Sequence, residues 1–413
     1  MREIYGHRGH GWFLLGLLMI AIAAITLYNI SAGGVARAAL TILGGPTPSP
    51  DSPPPLVTVE PAFPVVPTSE RASLPIWASP TPLPSLSAST PGQFNVQNMI
   101  LGSITPLRTD LVNCFGHIEW SPDGQLLAFS MATGGEKQGA AWPRTDIAMV
   151  DASGQKVQRV TPGFNPVWSP SGNFIAYLDY SDNLDDLYVR IVDLHTRQSI
   201  LVTTIKRGGV FPILAWLSDT ELLYYLNGLV SYNYQTAQRS NWLEETISSH
   251  SVSRASPFQM IATLPQQGLI AVASKHALVV LERDVQGIRI LKQQEEGVDN
   301  PAMAFSPDGE ALAYVSAFTQ QVKIVPARHN DPGVELPWAT RGTAWSISWS
   351  PDGASLVYVD ADGMHIVNRN GSGLQRIEAA PEGILDVAWS PRGSPLILSQ
   401  DTGALLSLPV SVR

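Results

Sequence analysis

One tetrapeptide constrains this chain more than anything else in it. Ser-Pro-Asp-Gly, or a near variant, recurs behind a large aromatic residue and ahead of a short apolar run. Trp120-Ser121-Pro122-Asp123-Gly124 leads to LLAFS, and Trp168-Ser169-Pro170-Ser171-Gly172 leads to FIAYLD. Phe305-Ser306-Pro307-Asp308-Gly309, Trp349-Ser350-Pro351-Asp352-Gly353 and Trp389-Ser390-Pro391-Arg392-Gly393 repeat the pattern. Two copies are degenerate: Trp216-Leu217-Ser218-Asp219-Thr220, and Thr263-Leu264-Pro265 with Gly268 closing the turn. The copies start at 120, 168, 216, 263, 305, 349 and 389, so the spacings run 48, 48, 47, 42, 44 and 40. Proline presets φ for the second turn position, aspartate can bond its own backbone there, and glycine accepts φ > 0. Each motif therefore ends one strand and starts the next.

A third strand follows each hairpin, as in DIAMVD (146–151), LYVRIVD (187–193) and MHIVNR (364–369). Several alternate apolar and polar residues, the pattern of a half-buried strand. An outer strand can be placed after six of them: VQRVT, SILVTT, a weak one near Asn241–Leu243, IRILKQ, VELPW and LQRIEA. Periods of 40–50 residues built of short strands mean a β-propeller. The fold class expected is all-β, a seven-bladed propeller over 96–413 at about 45 residues per blade. The seventh blade lacks an outer strand, and LGSITPL (101–107) is expected to supply it, closing the ring. Closure also removes open sheet edges. The aromatic before each turn, present in six of seven copies, is expected to fill the wedge between neighbouring blades.

The W-S-P-D-G motif, followed by I/L-A-F/Y and a strand ending in Asp, resembles the repeat of TolB-type propellers, within the wider WD-like group. The resemblance covers 96–413 and implies fold rather than activity. TolB itself has six blades and an extra α/β domain, so its partners are not carried over.

Two zones precede the repeats. Residues 1–43 hold a short basic head and, from Trp12 to Ile30, nineteen residues without a charge. At 1.5 Å per residue these span roughly 30 Å, the thickness of a bilayer's hydrocarbon core. Trp12 and Tyr28 sit at the ends, where amphipathic rings favour the interface, and Arg2 and Arg8 precede the run. One transmembrane signal anchor with a cytoplasmic N-terminus is expected. The rival reading is a cleaved signal ending near Ala36-Arg37-Ala38. Residues 44–95 contain fourteen prolines and form a Pro/Ser/Thr-rich disordered linker, a stalk that could reach roughly 160 Å. Either reading places the propeller outside the cytoplasm, at the cell membrane or secreted.

Composition narrows the function. The net charge of −9 argues against nucleic acid, which needs a basic face. One cysteine, Cys114, excludes an internal disulfide framework and a Cys-based zinc site. No G-x-S-x-G, HExxH, P-loop or GxGxxG occurs. No cofactor, metal site or catalytic residue is expected. Candidate binding residues lie where the chain enters each inner strand: His117, Glu119, Asn165, Asp299, Asn300, Trp345 and Asp386. Two irregular stretches, 131–145 with Trp142 and 239–257 with Trp242, are further candidates for partner contact. The DYSDNLDD hairpin (Asp179, Asp182, Asp185, Asp186) could hold calcium or be a hydrated tip. The leading expectation is a membrane-tethered binding scaffold for a protein or cell-envelope glycan, not an enzyme. The alternative is a propeller lyase or hydrolase at the channel mouth, where His117, Glu119 and Asp386 would be neighbours.

Overall fold

The motif turns form for a reason that involves their serines as much as their prolines. In the computed structural model, Ser121 Oγ donates to Asp123 (2.5 Å) and accepts the Leu126 N–H (3.0 Å). Gly124 N–H returns to the Ser121 carbonyl at 2.8 Å, with Gly124 at φ +64°. Ser306 and Ser350 repeat the arrangement with Asp308 and Asp352. These serines are buried, so each hydroxyl replaces the water its turn backbone would otherwise need.

The structure describes residues 92–109, 114–132, 145–181, 186–206, 213–225, 228–241, 260–285, 287–294, 297–336 and 344–413, with backbone alone at 114–116 and 299–301. The uncharged run expected to span a membrane (12–30), nearly all of the Pro-rich segment, Trp142, Trp242, Asp182 and Asp185 lie outside these residues. No helix among the described residues is long and apolar enough to cross a membrane.

The described residues form seven four-stranded antiparallel sheets. Two strands, β1 (Met99–Leu101) and β2 (Thr105–Arg108), precede the first motif. Blade 1 is β3 (Cys114–Trp120), β4 (Leu126–Ala132), β5 (Thr145–Asp151) and β6 (Val157–Pro162). Blade 2 is β7 (Phe164–Trp168), β8 (Phe174–Tyr180), β9 (Asp186–Asp193) and β10 (Ser199–Lys206). Blade 3 is β11 (Leu214–Trp216), β12 (Glu221–Tyr225), β13 (Leu229–Asn233) and β14 (Gln238–Ser240). Blade 4 is β15 (Met260–Leu264), β16 (Leu269–Ala273), β17 (Leu278–Asp284) and β18 (Gly287–Gln294). Blade 5 is β19 (Val298–Phe305), β20 (Ala311–Ser316), β21 (Val322–Pro326) and β22 (Val334–Glu335). Blade 6 is β23 (Ser346–Trp349), β24 (Ser355–Asp360), β25 (Gly363–Asn368) and β26 (Gln375–Arg376). Blade 7 takes β27 (Ile384–Trp389), β28 (Leu396–Gln400) and β29 (Leu405–Leu408) from the last repeat and β2 from the segment just ahead of blade 1.

The closing strand expected over 101–107 is thus β2, paired antiparallel with β29. A second clasp was not expected: β1 pairs with β30 (Val410–Val412). The outer strand of blade 3 falls at Gln238–Ser240, slightly earlier than the sequence suggested.

Seven apolar clusters account for the core, one for each blade-to-blade interface. One of them joins Ile397 and Leu405 of blade 7 to Trp120, Leu127 and Phe129 of blade 1, so the ring seals as it does elsewhere. The motif tryptophans fill these wedges, all five buried. Each indole also holds a hydrogen bond, and the pattern is directional. Trp168 Nε1–H donates to the Glu119 carbonyl (3.1 Å), Trp216 to Val167 (3.0 Å) and Trp349 to Ala304 (3.0 Å), each in the preceding blade. Trp120 donates to Ala388 of blade 7 (3.1 Å), which carries the pattern across the closure.

Trp389 departs from it and bonds the Gly393 carbonyl of its own turn (2.9 Å). Phe94 lies against it edge to face, ring centroids 5.9 Å apart. Phe94 N–H donates to Asp352 (2.9 Å), its carbonyl accepts from Ser355 Oγ (2.6 Å), and Val96 N–H donates to Asn368 (2.8 Å). Composition had assigned Phe94 to the Pro-rich segment, yet it is buried in the blade 6–7 cluster. The chain therefore joins the propeller on the face that carries the motif turns. The inner strands begin on the opposite face.

Candidate functional site

In a four-stranded blade the inner strand is a sheet edge. Its channel-side N–H groups have no ladder partner and must find acceptors elsewhere. Along one arc of this ring, side chains of the preceding blade provide them. Val387 N–H reaches Ser346 Oγ (3.1 Å), Ile118 N–H reaches Asp386 Oδ2 (2.9 Å), and Trp168 N–H reaches Glu119 Oε2 (2.9 Å). Trp389 N–H reaches Ser348 Oγ (2.9 Å), and Asn165 N–H reaches Ser130 Oγ (3.1 Å).

The position three residues before each motif residue shows where this chemistry lies. Around the ring it holds His117, Asn165, Ile213, Met260, Ala302, Ser346 and Asp386. Blades 6, 7, 1 and 2 are polar there; blades 3, 4 and 5 are apolar. The polar arc is centred on Asp386. Its Oδ2 takes the His117 Nδ1 (3.1 Å) and the Ile118 N–H, and its Oδ1 takes Ser346 Oγ (2.5 Å) and the Val387 N–H (2.9 Å). Four donors saturate a carboxylate, and these come from three blades.

His117 ends the series. The blade 2 residue that would donate to it is Pro166, which has no N–H. The imidazole is spared as an acceptor, and its side chain is 52% exposed. Protein encloses it around the ring while the channel side stays open. Enclosure disfavours its charge, but the hydrogen bond and charge of Asp386, with Glu119 beyond, prevail and raise its pKa to about 9. Glu119 moves upward too, to about 7. Enclosure is the main cause; the His117 charge and the Trp168 N–H oppose it, and the Asp386 charge reinforces it.

The sequence candidates therefore divide. His117, Glu119 and Asp386 come together at the seam of blades 7 and 1, the neighbourhood that the lyase or hydrolase alternative named. Ser346 belongs with them and was missed, although reading that register across all seven copies would have found it. Asn165 sits on β7 in the left-handed region, φ +52°, beside blade 1 rather than in the His117 cluster. Trp345 stands just ahead of β23, 39% exposed. Its main-chain N–H donates to the Val359 carbonyl (2.9 Å) and its Nε1–H to the Ile384 carbonyl (3.2 Å). Asp299 and Asn300 fall on β19, where only the backbone is described. In the acidic hairpin, Asp179 faces Arg190 (3.4 Å) and Asp186 faces Lys206 (3.1 Å).

Among the described residues no group of three or more His, Cys, Asp or Glu side chains is placed to hold a metal. The seam offers an oriented imidazole, but Ser346 bonds the carboxylate and not the ring. A nucleophile–base–carboxylate relay would need the ring between them.

No protein-family profile matches the chain. No curated protein sequence matches it either. Among solved structures it is similar to the Cps50 (Swd1) β-propeller domain of Myceliophteria thermophila, with TM-score 0.52 and 12% identity, over 75% of this chain and 99% of that one. At that identity the likeness concerns the fold alone.

Proposed function

We propose that this chain is a binding propeller of the TolB-like kind, exported and held at the membrane by residues 12–30 through the Pro-rich stalk. It presents the face where the inner strands begin to a protein partner and performs no chemistry of its own. The observation that carries this reading is the saturation of Asp386. The carboxylate best placed for acid–base work is engaged by four donors that join blades 6, 7 and 1. The polar residues of the seam serve mainly to hold the ring, leaving exposed side chains such as Trp345 for recognition. The point of entry at Phe94 supports the choice of face, since Phe94 and Val96 are bonded at the opposite one.

The test is affinity capture from envelope extract with the full chain in detergent, beside Trp345→Ala and His117→Gln. Recovery of a defined protein that Trp345→Ala loses and His117→Gln retains supports the proposal. Capture of glycan alone would replace the partner class.

One observation favours a second reading, a lyase or hydrolase site in the channel mouth: the His117–Asp386 pair orients an imidazole whose Nε2 has no partner among the described residues. Under that reading His117→Gln abolishes a turnover that the parent protein shows, without affecting capture.

A further inference from the structure

We infer that the rim between blades 6 and 7, around Trp345, is a docking site for a basic segment of a protein partner, which lays an arginine or lysine side chain on the Trp345 ring between flanking carboxylates. The inference rests on the reading of the chain as a binding propeller and specifies the chemistry of what it binds.

The ring itself is the first observation. The five motif tryptophans are buried, whereas Trp345 leaves more than a third of its surface open. It is nonetheless fixed at two points, by the Val359 carbonyl within its own blade and by the Ile384 carbonyl of blade 7. An exposed aromatic already pinned in place loses little freedom when a partner covers it.

The second observation is the charge beside it. The segment that receives the indole N–H carries Glu382 two residues earlier, and Glu382 is exposed. Asp401 N–H donates to the Gly383 carbonyl (2.9 Å), and the Asp401 carboxylate packs over the Gly383 Cα, where a β-carbon would collide with it. Gln400 Nε2 donates to the Glu382 carbonyl (2.8 Å), which ties the two loops together. Two exposed carboxylates therefore flank the strand entry on which Trp345 rests. Among the described residues neither forms an ion pair.

Elsewhere in the ring the protein supplies its own cations: Asp308 pairs with Arg369, Glu282 with Arg328 and Glu221 with Arg283 on the turn face, and Asp146 with Arg159 and Asp186 with Lys206 on the face where the inner strands begin. Among the described residues Glu382 and Asp401 are not matched in this way. A cation from outside is the complement. A guanidinium or ammonium over an indole gains from the ring's quadrupole, and nearby carboxylates add charge-assisted hydrogen bonds. Arginine suits the site better than lysine because its plane can stack on the ring while its edge meets a carboxylate.

The probe is a blocked hexa-arginine peptide, titrated calorimetrically into the full chain in detergent, with blocked hexaglutamate and chitohexaose as controls. Hexa-arginine is expected to bind and hexaglutamate not. Trp345→Ala and the double variant Glu382→Gln/Asp401→Asn should each weaken binding about tenfold at low salt. Trp345→Phe keeps a ring without the N–H and should lose less than about threefold, which separates ring chemistry from a local packing defect. The inference is overturned if both weakening variants stay within about twofold of the parent, if hexaglutamate binds as well as hexa-arginine, or if only chitohexaose binds. Should hexa-arginine fail while Trp345→Ala still loses a captured protein, the cationic chemistry is rejected and the binding-propeller reading stands. Should no protein be captured under any condition, that reading falls as well.

Discussion

Glu119 and Trp168 are joined twice across the interface of blades 1 and 2: the Trp168 indole N–H donates to the Glu119 carbonyl at 3.1 Å, and Glu119 Oε2 accepts the Trp168 main-chain N–H at 2.9 Å. One residue thus anchors both the wedge side chain and the edge backbone of the next blade. Glu119→Ala removes the second bond and leaves the Trp168 N–H without an acceptor at the channel wall. The expected loss is about 1–2 kcal/mol in urea unfolding. Glu119→Gln keeps an acceptor oxygen and should lose less than half of that.

Asp386 is more exacting, because three blades depend on it. Asp386→Ala strands the Ile118 N–H and the Ser346 hydroxyl and leaves His117 without its counter-ion. We expect a loss of about 2–4 kcal/mol. Hydrogen exchange at Ile118 should quicken in the same variant, while a blade remote from the seam, such as blade 4, keeps its parent rate.

The pH dependence follows from His117 and Glu119. Both hold their protons more tightly in the folded chain than in the unfolded one. For His117, the stabilising contribution is complete below its unfolded pKa near 6.5 and is lost as pH rises towards about 9. For Glu119, whose folded pKa is also raised, ionisation disfavours the native state, so stability falls as pH climbs from about 4.5 to about 7. Melting temperature should therefore decline between pH 5 and 9. Glu119→Gln should flatten the portion below pH 7, and His117→Gln the portion above it. A parent profile that rises with pH over this range contradicts the assignment.

Phe94 fastens the incoming chain between blades 6 and 7. Phe94→Ala opens a cavity against Trp389 and should cost about 3–5 kcal/mol. Hydrogen exchange should show the β1–β30 clasp loosening before the β2–β29 pair, since β1 follows Phe94 most closely along the chain and its three-residue pairing is the shorter of the two.

Much of this was legible in the sequence because repetition exposes local chemistry. The motif named its own turn, the aromatic ahead of it named the wedge, and the missing seventh outer strand named a closure over 101–107, which the fold makes at Thr105–Arg108. The rest depended on relations between blades. That Ser346, Asp386 and His117 share one register level shows only when the seven copies are stacked. Pro166 then explains why the series stops. Phe94 was hidden by its neighbours: Pro91 and Gly92 read as linker, and one aromatic residue carries no periodicity to contradict them. The β1–β30 clasp was hidden likewise, because three-residue strands are too short to show alternation. Trp345 was visible as a loop aromatic. Its exposure, and the absence of an ion pair at Glu382 and Asp401 among the described residues, show only in the folded ring.

The central claim is that a partner engages the face where the inner strands begin. Hydrogen–deuterium exchange on the full chain, free and with its captured partner, tests it most directly. The account predicts protection at residues 344–346, 382–386 and 400–403, with the motif turns at 121–124, 350–353 and 390–393 unchanged. Protection confined to those turns would contradict it.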